Sequence, residues 1–159
     1  MVCMGNICRS PTAHGVLQKM VDDAHLADRI QVDSAGTHDY HVGEAPDRRA
    51  QAHAARRGYD LSAQRARHLR ARDFVQFDLV LLMDAVNECH ARAVCPDQQR
   101  HKMHRLTDFC TQYTVDEVPD PYYGGPASFE RVLDLAEDAC RGLLRVLAEG
   151  DGPGAAAGA

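Results

Sequence analysis

The sequence has 159 residues, 45% apolar and 26% charged, with a formal net charge of −5, enough to bury one ordinary core and too little for two domains. Acids and bases are interspersed without a basic stripe, which argues against a nucleic-acid partner. No apolar run approaches the roughly 20 residues that span a bilayer, and no charged-then-apolar leader opens the chain, so no membrane association and a cytoplasmic location are expected.

After Met1 and Val2 the chain enters Cys3-Met4-Gly5-Asn6-Ile7-Cys8-Arg9-Ser10, a segment taken up below. Pro11 then opens a run in which Ala13, Val16, Leu17 and Met20 recur at helical spacing, predicting a helix over 11–26. Ile30 and Val32 predict a short strand over Ile30–Asp33, broken by Ser34-Ala35-Gly36-Thr37 and a polar loop through Pro46. A helix over 47–57 follows, stopped by Gly58.

The nearly unbroken apolar run Phe77–Met83 reads as a strand covered on both faces, ending at Asp84. A helix over 85–94, a loop at Pro96–His101, a weak strand at Met103–Leu106 and a long loop over 107–126 come next. The last helix, 127–148, carries Phe129, Val132, Leu133, Ala136, Cys140, Leu143, Leu144 and Leu147 in one broad stripe. Residues 150–159 are Gly, Ala, Asp and Pro with nothing to bury, which predicts a disordered tail after a single domain over 1–149. Strands alternating with helices predict a three-layer α/β fold. Its small four-stranded parallel sheet has helices on both faces and a ligand site at the carboxyl ends of the strands.

A cysteine, five residues and an arginine entering a helix solve one physical problem, holding a dianion against a thiolate. Successive loop amides form a nest and the helix N-terminus adds positive charge; the same field favours the thiolate of Cys3. Arg9 supplies a planar fork for two phosphoryl oxygens. Gly5 and Asn6 tolerate the left-handed backbone such a loop needs, and Ser10 can donate to the thiolate. Cys8 follows Cys3 by five residues in the same tight loop, so oxidation of Cys3 is expected to be rescued as a Cys3–Cys8 disulfide, with plain packing as the other role of Cys8. The other cysteines, Cys89, Cys95, Cys110 and Cys140, show no motif spacing.

Val2–Pro11 resembles the signature loop of the low-molecular-weight protein tyrosine phosphatases. The resemblance continues in Asp33-Ser34-Ala35-Gly36-Thr37, in Phe77-Asp78 to Met83-Asp84 with Asn87, and in Asp120-Pro121-Tyr122-Tyr123-Gly124, spanning residues 2–147. It implies hydrolysis of protein phosphotyrosine and small aryl phosphates through a phosphocysteine. Cys3 would be the nucleophile, Arg9 the phosphate clamp and Asp120 the general acid and then base, with Asp116 and Glu117 as local competitors. It further implies that Met4, Gly5, Asn6, Ile7, Cys8, Ser10 and Ser34 bind phosphate or brace the loop, Asn6 and Ser34 through side-chain hydrogen bonds. Tyr40, Tyr122 and Tyr123 would line the substrate cleft, the last two also being candidates for phosphorylation. No cofactor or metal is required, because Arg9 and the amides neutralise the charge. The partners implied are tyrosine-phosphorylated proteins and a cognate tyrosine kinase.

The chain departs from the family in one place: only Met1 and Val2 precede Cys3, where relatives carry several apolar residues. The first strand is therefore expected to be unusually short, either because the recorded start lies downstream of the native one or because the protein tolerates a damaged sheet. Two alternatives keep the loop but change the outcome, a thioredoxin-coupled arsenate reductase of the same fold and an oxyanion-binding protein of weak activity. A third reading takes Cys89, Cys95, His101 and His104, with His38 and His41 nearby, as a zinc or interaction module.

Overall fold

Residues 1–150 of a computed structural model describe the fold; 151–159, nearly all of the predicted tail, lie outside the described residues. In chain order the elements are β1 (Val2–Cys3), α1 (Arg9–Asp23), β2 (Ala35–Gly36), α2 (Arg48–Arg56), α3 (Ala71–Gln76), β3 (Val80–Leu82), α4 (Ala85–Val94), β4 (Met103–Arg105) and α5 (Pro126–Ala148). Short 3₁₀ turns flank β4 at Asp97–Lys102 and Leu106–Phe109. The four strands form one parallel sheet in the order β2-β1-β3-β4.

Alternation along the strands sorts the core into two layers, because successive side chains leave a strand on opposite faces. Cys3, Leu81 and Met83 pack with Val16 and Leu17 of α1 and with Leu133, Ala136 and Leu143 of α5. Val2, Val80 and Leu82 face the other way, toward Phe74 of α3 and Ala91 of α4. Each fully buried Leu or Val contributes about 1.5–3 kcal/mol, and truncating Leu133, 1% exposed, to Ala is expected to cost about 2–5 kcal/mol.

The helix ends follow local chemistry. Asp47 caps α2, accepting from the N–H of Arg49 at 2.8 Å, and Asp84 caps α4, accepting from that of Asn87 at 2.7 Å. Gly58, at φ +87°, follows α2 in the left-handed conformation that stops a helix. Gly36 ends β2 beneath the loop that follows β1, where a Cβ would lie 2.7 Å from the Met4 carbonyl oxygen, so only glycine permits that approach.

One expectation is corrected and one element is added. Ile30–Asp33 is not a strand: the register pairs Val2 with Ala35 and Cys3 with Gly36, so residues 30–33 lie beyond the end of the strand they would pair with. A cavity of about 600 Å³ lies there instead, lined by Met1, Ile30, Val32, Leu79, Leu81 and Leu147 among others. A strand needs a ladder as well as apolar alternation. The helix α3 was not foreseen, because six residues show no periodicity; its signal is Asp73, which accepts from the N–H of Arg70 at 2.8 Å. Elsewhere boundaries shift: α1 begins at Arg9 and β3 is confined to Val80–Leu82.

Candidate active site

The segment from Met4 to Cys8 leaves the carboxyl end of the central strand β1 and turns directly into α1. Asn6 takes φ +57°, the left-handed conformation that a tight anion-binding loop uses. Among the described residues, no protein acceptor pairs with the backbone N–H groups of Met4, Gly5, Asn6, Ile7 or Cys8. Five unpartnered amides beside a helix N-terminus form an anion cradle.

The Asn6 side chain fixes the loop from within. Its Oδ1 accepts from the N–H of Arg67 at 3.0 Å, which sets the amide orientation, and its Nδ2 donates to Ser10 Oγ at 2.8 Å and to Ser34 Oγ at 2.9 Å. With Ser10 Oγ already accepting, its proton is free for Cys3 Sγ, 3.0 Å away. Cys3, Asn6, Arg9 and Ser10 are all at most 3% exposed. His14 Nδ1 also reaches Ser34 Oγ, at 3.3 Å, and burial lowers its pKa to about 4, so it is neutral there at neutral pH.

Arg9 is gripped from two sides. Its Nη1 donates to Asp84 Oδ2 at 2.5 Å and to the carbonyl oxygen of Val118 at 3.0 Å. Burial alone would lower its pKa, but Cys3, Asp84 and Asp120 outweigh that and raise it. Asp84 therefore serves two elements, capping α4 and orienting Arg9. The apolar run of β3 marked the position as an edge without revealing this partner, which lies 75 residues earlier.

Asp120 Oδ2 stands 3.7 Å from Arg9 Nη2, with its side chain 45% exposed. Of the competing acids, Glu117 is occupied elsewhere, accepting from the N–H of Ala85 at 2.9 Å, and the Asp116 carbonyl oxygen takes Thr107 Oγ1 at 2.9 Å. Val118 links this loop to the sheet by donating to the Met83 carbonyl oxygen at 2.8 Å.

The remaining predicted residues divide. Met4, Tyr40, Tyr122 and Tyr123 are exposed, Tyr123 at 95%; the rings of Tyr122 and Tyr123 meet edge to face at 4.9 Å, and Tyr40 stacks on His38 at 5.1 Å. The N–H of His38 donates to the Met4 carbonyl oxygen at 3.0 Å, which ties that segment to the loop. Ile7 packs with buried Cys8 against Ala50 and Phe129. Cys3 and Cys8 are free thiols, and burial pushes the Cys8 thiol up. Among the described residues no cluster of three or more His, Cys, Asp and Glu is placed to hold a metal. Cys89 is exposed, Cys95 packs in the Phe74 layer and His104 meets the edge of Phe109. No helix among the described residues is long and apolar enough to cross a membrane. Sequence reasoning missed Arg67, whose backbone fixes Asn6, and Arg49, which stacks on Tyr122.

Residues 1–151 match the family pattern described as low molecular weight phosphotyrosine protein phosphatase. A relative from Synechocystis sp., slr0328, is 48% identical over 147 residues, covering 92% of this chain and 93% of its own length. The low molecular weight phosphotyrosine protein phosphatase of Homo sapiens is 36% identical over 145 residues, 90% of each chain. A crystal structure of a protein tyrosine phosphatase from Entamoeba histolytica, with Hepes in the active site, superposes with a TM-score of 0.90 at 43% identity. That match covers 94% of this chain and 95% of the other.

Proposed function

The chain belongs to the low molecular weight phosphotyrosine protein phosphatase family, and from that membership we propose how its own residues carry phosphotyrosine hydrolysis. In the first step the Cys3 thiolate attacks phosphorus in line. The S–P bond forms as the P–O bond to the phenol breaks, and Asp120 passes its proton to the departing oxygen. In the second, the Asp120 carboxylate takes a proton from water, whose oxygen attacks phosphorus; the S–P bond breaks, releasing phosphate and restoring the thiolate. Arg9 and the amides of Met4 to Cys8 hold the equatorial oxygens throughout. Ser10 stabilises the thiolate as nucleophile and as leaving group, and Asn6 and Ser34 brace the loop.

The observation that carries this reading is the row of five unpartnered amides between buried Cys3 and buried Arg9. Asp120 is preferred as the acid because, of the three carboxylates at 116–120, its side chain is the one paired with Arg9. The cleft is walled by Tyr40, Tyr122 and Tyr123, with Met4 and Ile7 toward the phenyl ring. Its substrates are tyrosine-phosphorylated proteins and small aryl phosphates. A cognate tyrosine kinase is the natural counterpart, and a net charge of −5 disfavours nucleic acid. Six free cysteines suit the reducing cytoplasm.

Cys8 gives the loop a redox role. Peroxide oxidises the Cys3 thiolate to a sulfenic acid, the Cys8 sulfur displaces water from it, and a thiol reductant reopens the disulfide. A peptide map after peroxide showing Cys3 over-oxidised without a Cys3–Cys8 bond would refute that role. The reaction itself is tested by hydrolysis of phenyl phosphate: Cys3→Ser is expected to abolish turnover and Asp120→Asn to cost about 10²–10⁴-fold. Full activity in Cys3→Ser would sink the mechanism.

A further inference from the structure

Arg49, the second residue of α2, takes no part in the chemistry above. Its guanidinium carbon lies 4.8 Å from the ring centroid of Phe129 in α5 and 5.4 Å from that of Tyr122, two aromatic faces that attract a planar cation. Its Nε and Nη2 donate to the two carboxylate oxygens of Asp47 at 3.1 and 3.0 Å, a two-point grip that arginine alone offers. Asp47 is itself fixed, capping α2 through its carboxylate and donating from its backbone N–H to the Ile7 carbonyl oxygen at 2.8 Å. One side chain thus links the phosphate loop, α5 and the segment that carries Asp120.

Asp120 needs such a link. At 3.7 Å from Arg9 Nη2 its carboxylate is beyond ordinary hydrogen-bond distance, so the backbone on either side decides where it points. Upstream, buried Val118 is held by Met83 and Arg9. Downstream, the N–H of Tyr122 donates to Asp120 Oδ1 at 3.1 Å, a Pro121–Gly124 turn follows, and the Tyr122 ring rests on Arg49.

We propose that Arg49 is a positioning residue for the phosphatase reaction: locked by Asp47 and stacked on Tyr122, it holds the Asp120 carboxyl at the leaving-group oxygen. The proposal rests on the reading of Asp120 as proton donor. Arg49 acts on the proton transfer and leaves S–P bond formation alone, so its loss is felt where the leaving group needs a proton.

The experiment measures kcat/KM across aryl phosphates, from phenyl phosphate, a poor leaving group, to dinitrophenyl phosphate, whose phenolate departs unprotonated. Asp120→Asn is run first and should steepen the leaving-group dependence; a uniform response would overturn the reading of Asp120 and this inference with it. Given the steep response, Arg49→Ala is expected to lower kcat/KM about tenfold for phenyl phosphate, and less than about twofold for dinitrophenyl phosphate. Arg49→Lys, which keeps a cation near the rings but loses the two-point grip on Asp47, should recover only part of the loss. In the Asp120→Asn background Arg49→Ala should cost nothing further, since both variants remove the same proton transfer. Equal losses across the series, or additive losses in the double variant, would overturn the positioning role alone and leave the proposed reaction standing.

Discussion

The phosphate loop and the acid loop meet at Arg9, yet they are held in opposite ways. From Cys3 to Ser10 the chain is braced by short contacts among buried, largely neutral groups, Asn6 to Ser10, Ser34 and Arg67, while five amides stay free. The loop after Leu106 is long, largely exposed and tethered at a few remote points: Asp138 at its start, Val118 near its middle and Arg49 beyond Asp120. On the proposed reading, the grip on a dianion is prebuilt and the proton donor is placed by distant contacts. Preorganisation is concentrated where charge must be stabilised.

The sharpest way to break this contrast is Arg9→Lys. It keeps the charge and removes the fork, and we expect kcat/KM on phenyl phosphate to fall about 10²–10³-fold; a loss below about tenfold would mean the amides suffice and the clamp is dispensable.

Asp138→Asn probes the other region. This fully buried carboxylate accepts from the N–H groups of Thr111, Gln112 and Tyr113 at 3.0–3.2 Å. Burial would raise its pKa, but the donors of Tyr113, Gln112 and Thr111 outweigh that and lower it to about 2. A depressed carboxyl pKa adds stability that is present above its unfolded value, near 4, and is lost as pH falls through about 2. Urea unfolding at neutral pH should show Asp138→Asn less stable by about 2–3 kcal/mol. The variant's deficit should shrink as pH drops from about 4 toward 2. An undiminished deficit at low pH would assign the loss to packing.

Asp84→Asn should have the smallest effect of the three. The amide has one oxygen where the carboxylate used two, so it accepts from Arg9 only by giving up the cap of α4 and carries no charge; inhibition by inorganic phosphate is expected to weaken about tenfold. Unchanged phosphate affinity would show that Val118 and the amides orient Arg9 unaided.

The same contrast governs what was legible in the sequence. The phosphate loop is eight consecutive residues whose chemistry is local, so Cys3, Asn6, Arg9 and Ser10 declared themselves by type and spacing. Their supports come from far along the chain: Asp84 as the partner of Arg9, Arg67 as that of Asn6 and Arg49 beneath Tyr122 have no local signature. Within the acid loop, residue type alone did not separate Asp120 from Asp116 and Glu117, and the resemblance made the choice; in the fold Glu117 accepts from the N–H of Ala85 while Asp120 faces Arg9, which supports the proposed assignment. Among the elements, α1 and α5 followed from periodicity, whereas β2 fell at Ala35–Gly36 rather than Ile30–Asp33 because strands are fixed by the register of their neighbours.

The proposed reaction requires a covalent bond between Cys3 and phosphorus. Rapid quenching of the enzyme in alkaline detergent during turnover of a radiolabelled aryl phosphate, followed by peptide mapping without exposure to acid, should find the label on the peptide containing Cys3 and no label in Cys3→Ser. Turnover without label at Cys3, or label retained in Cys3→Ser, would contradict it.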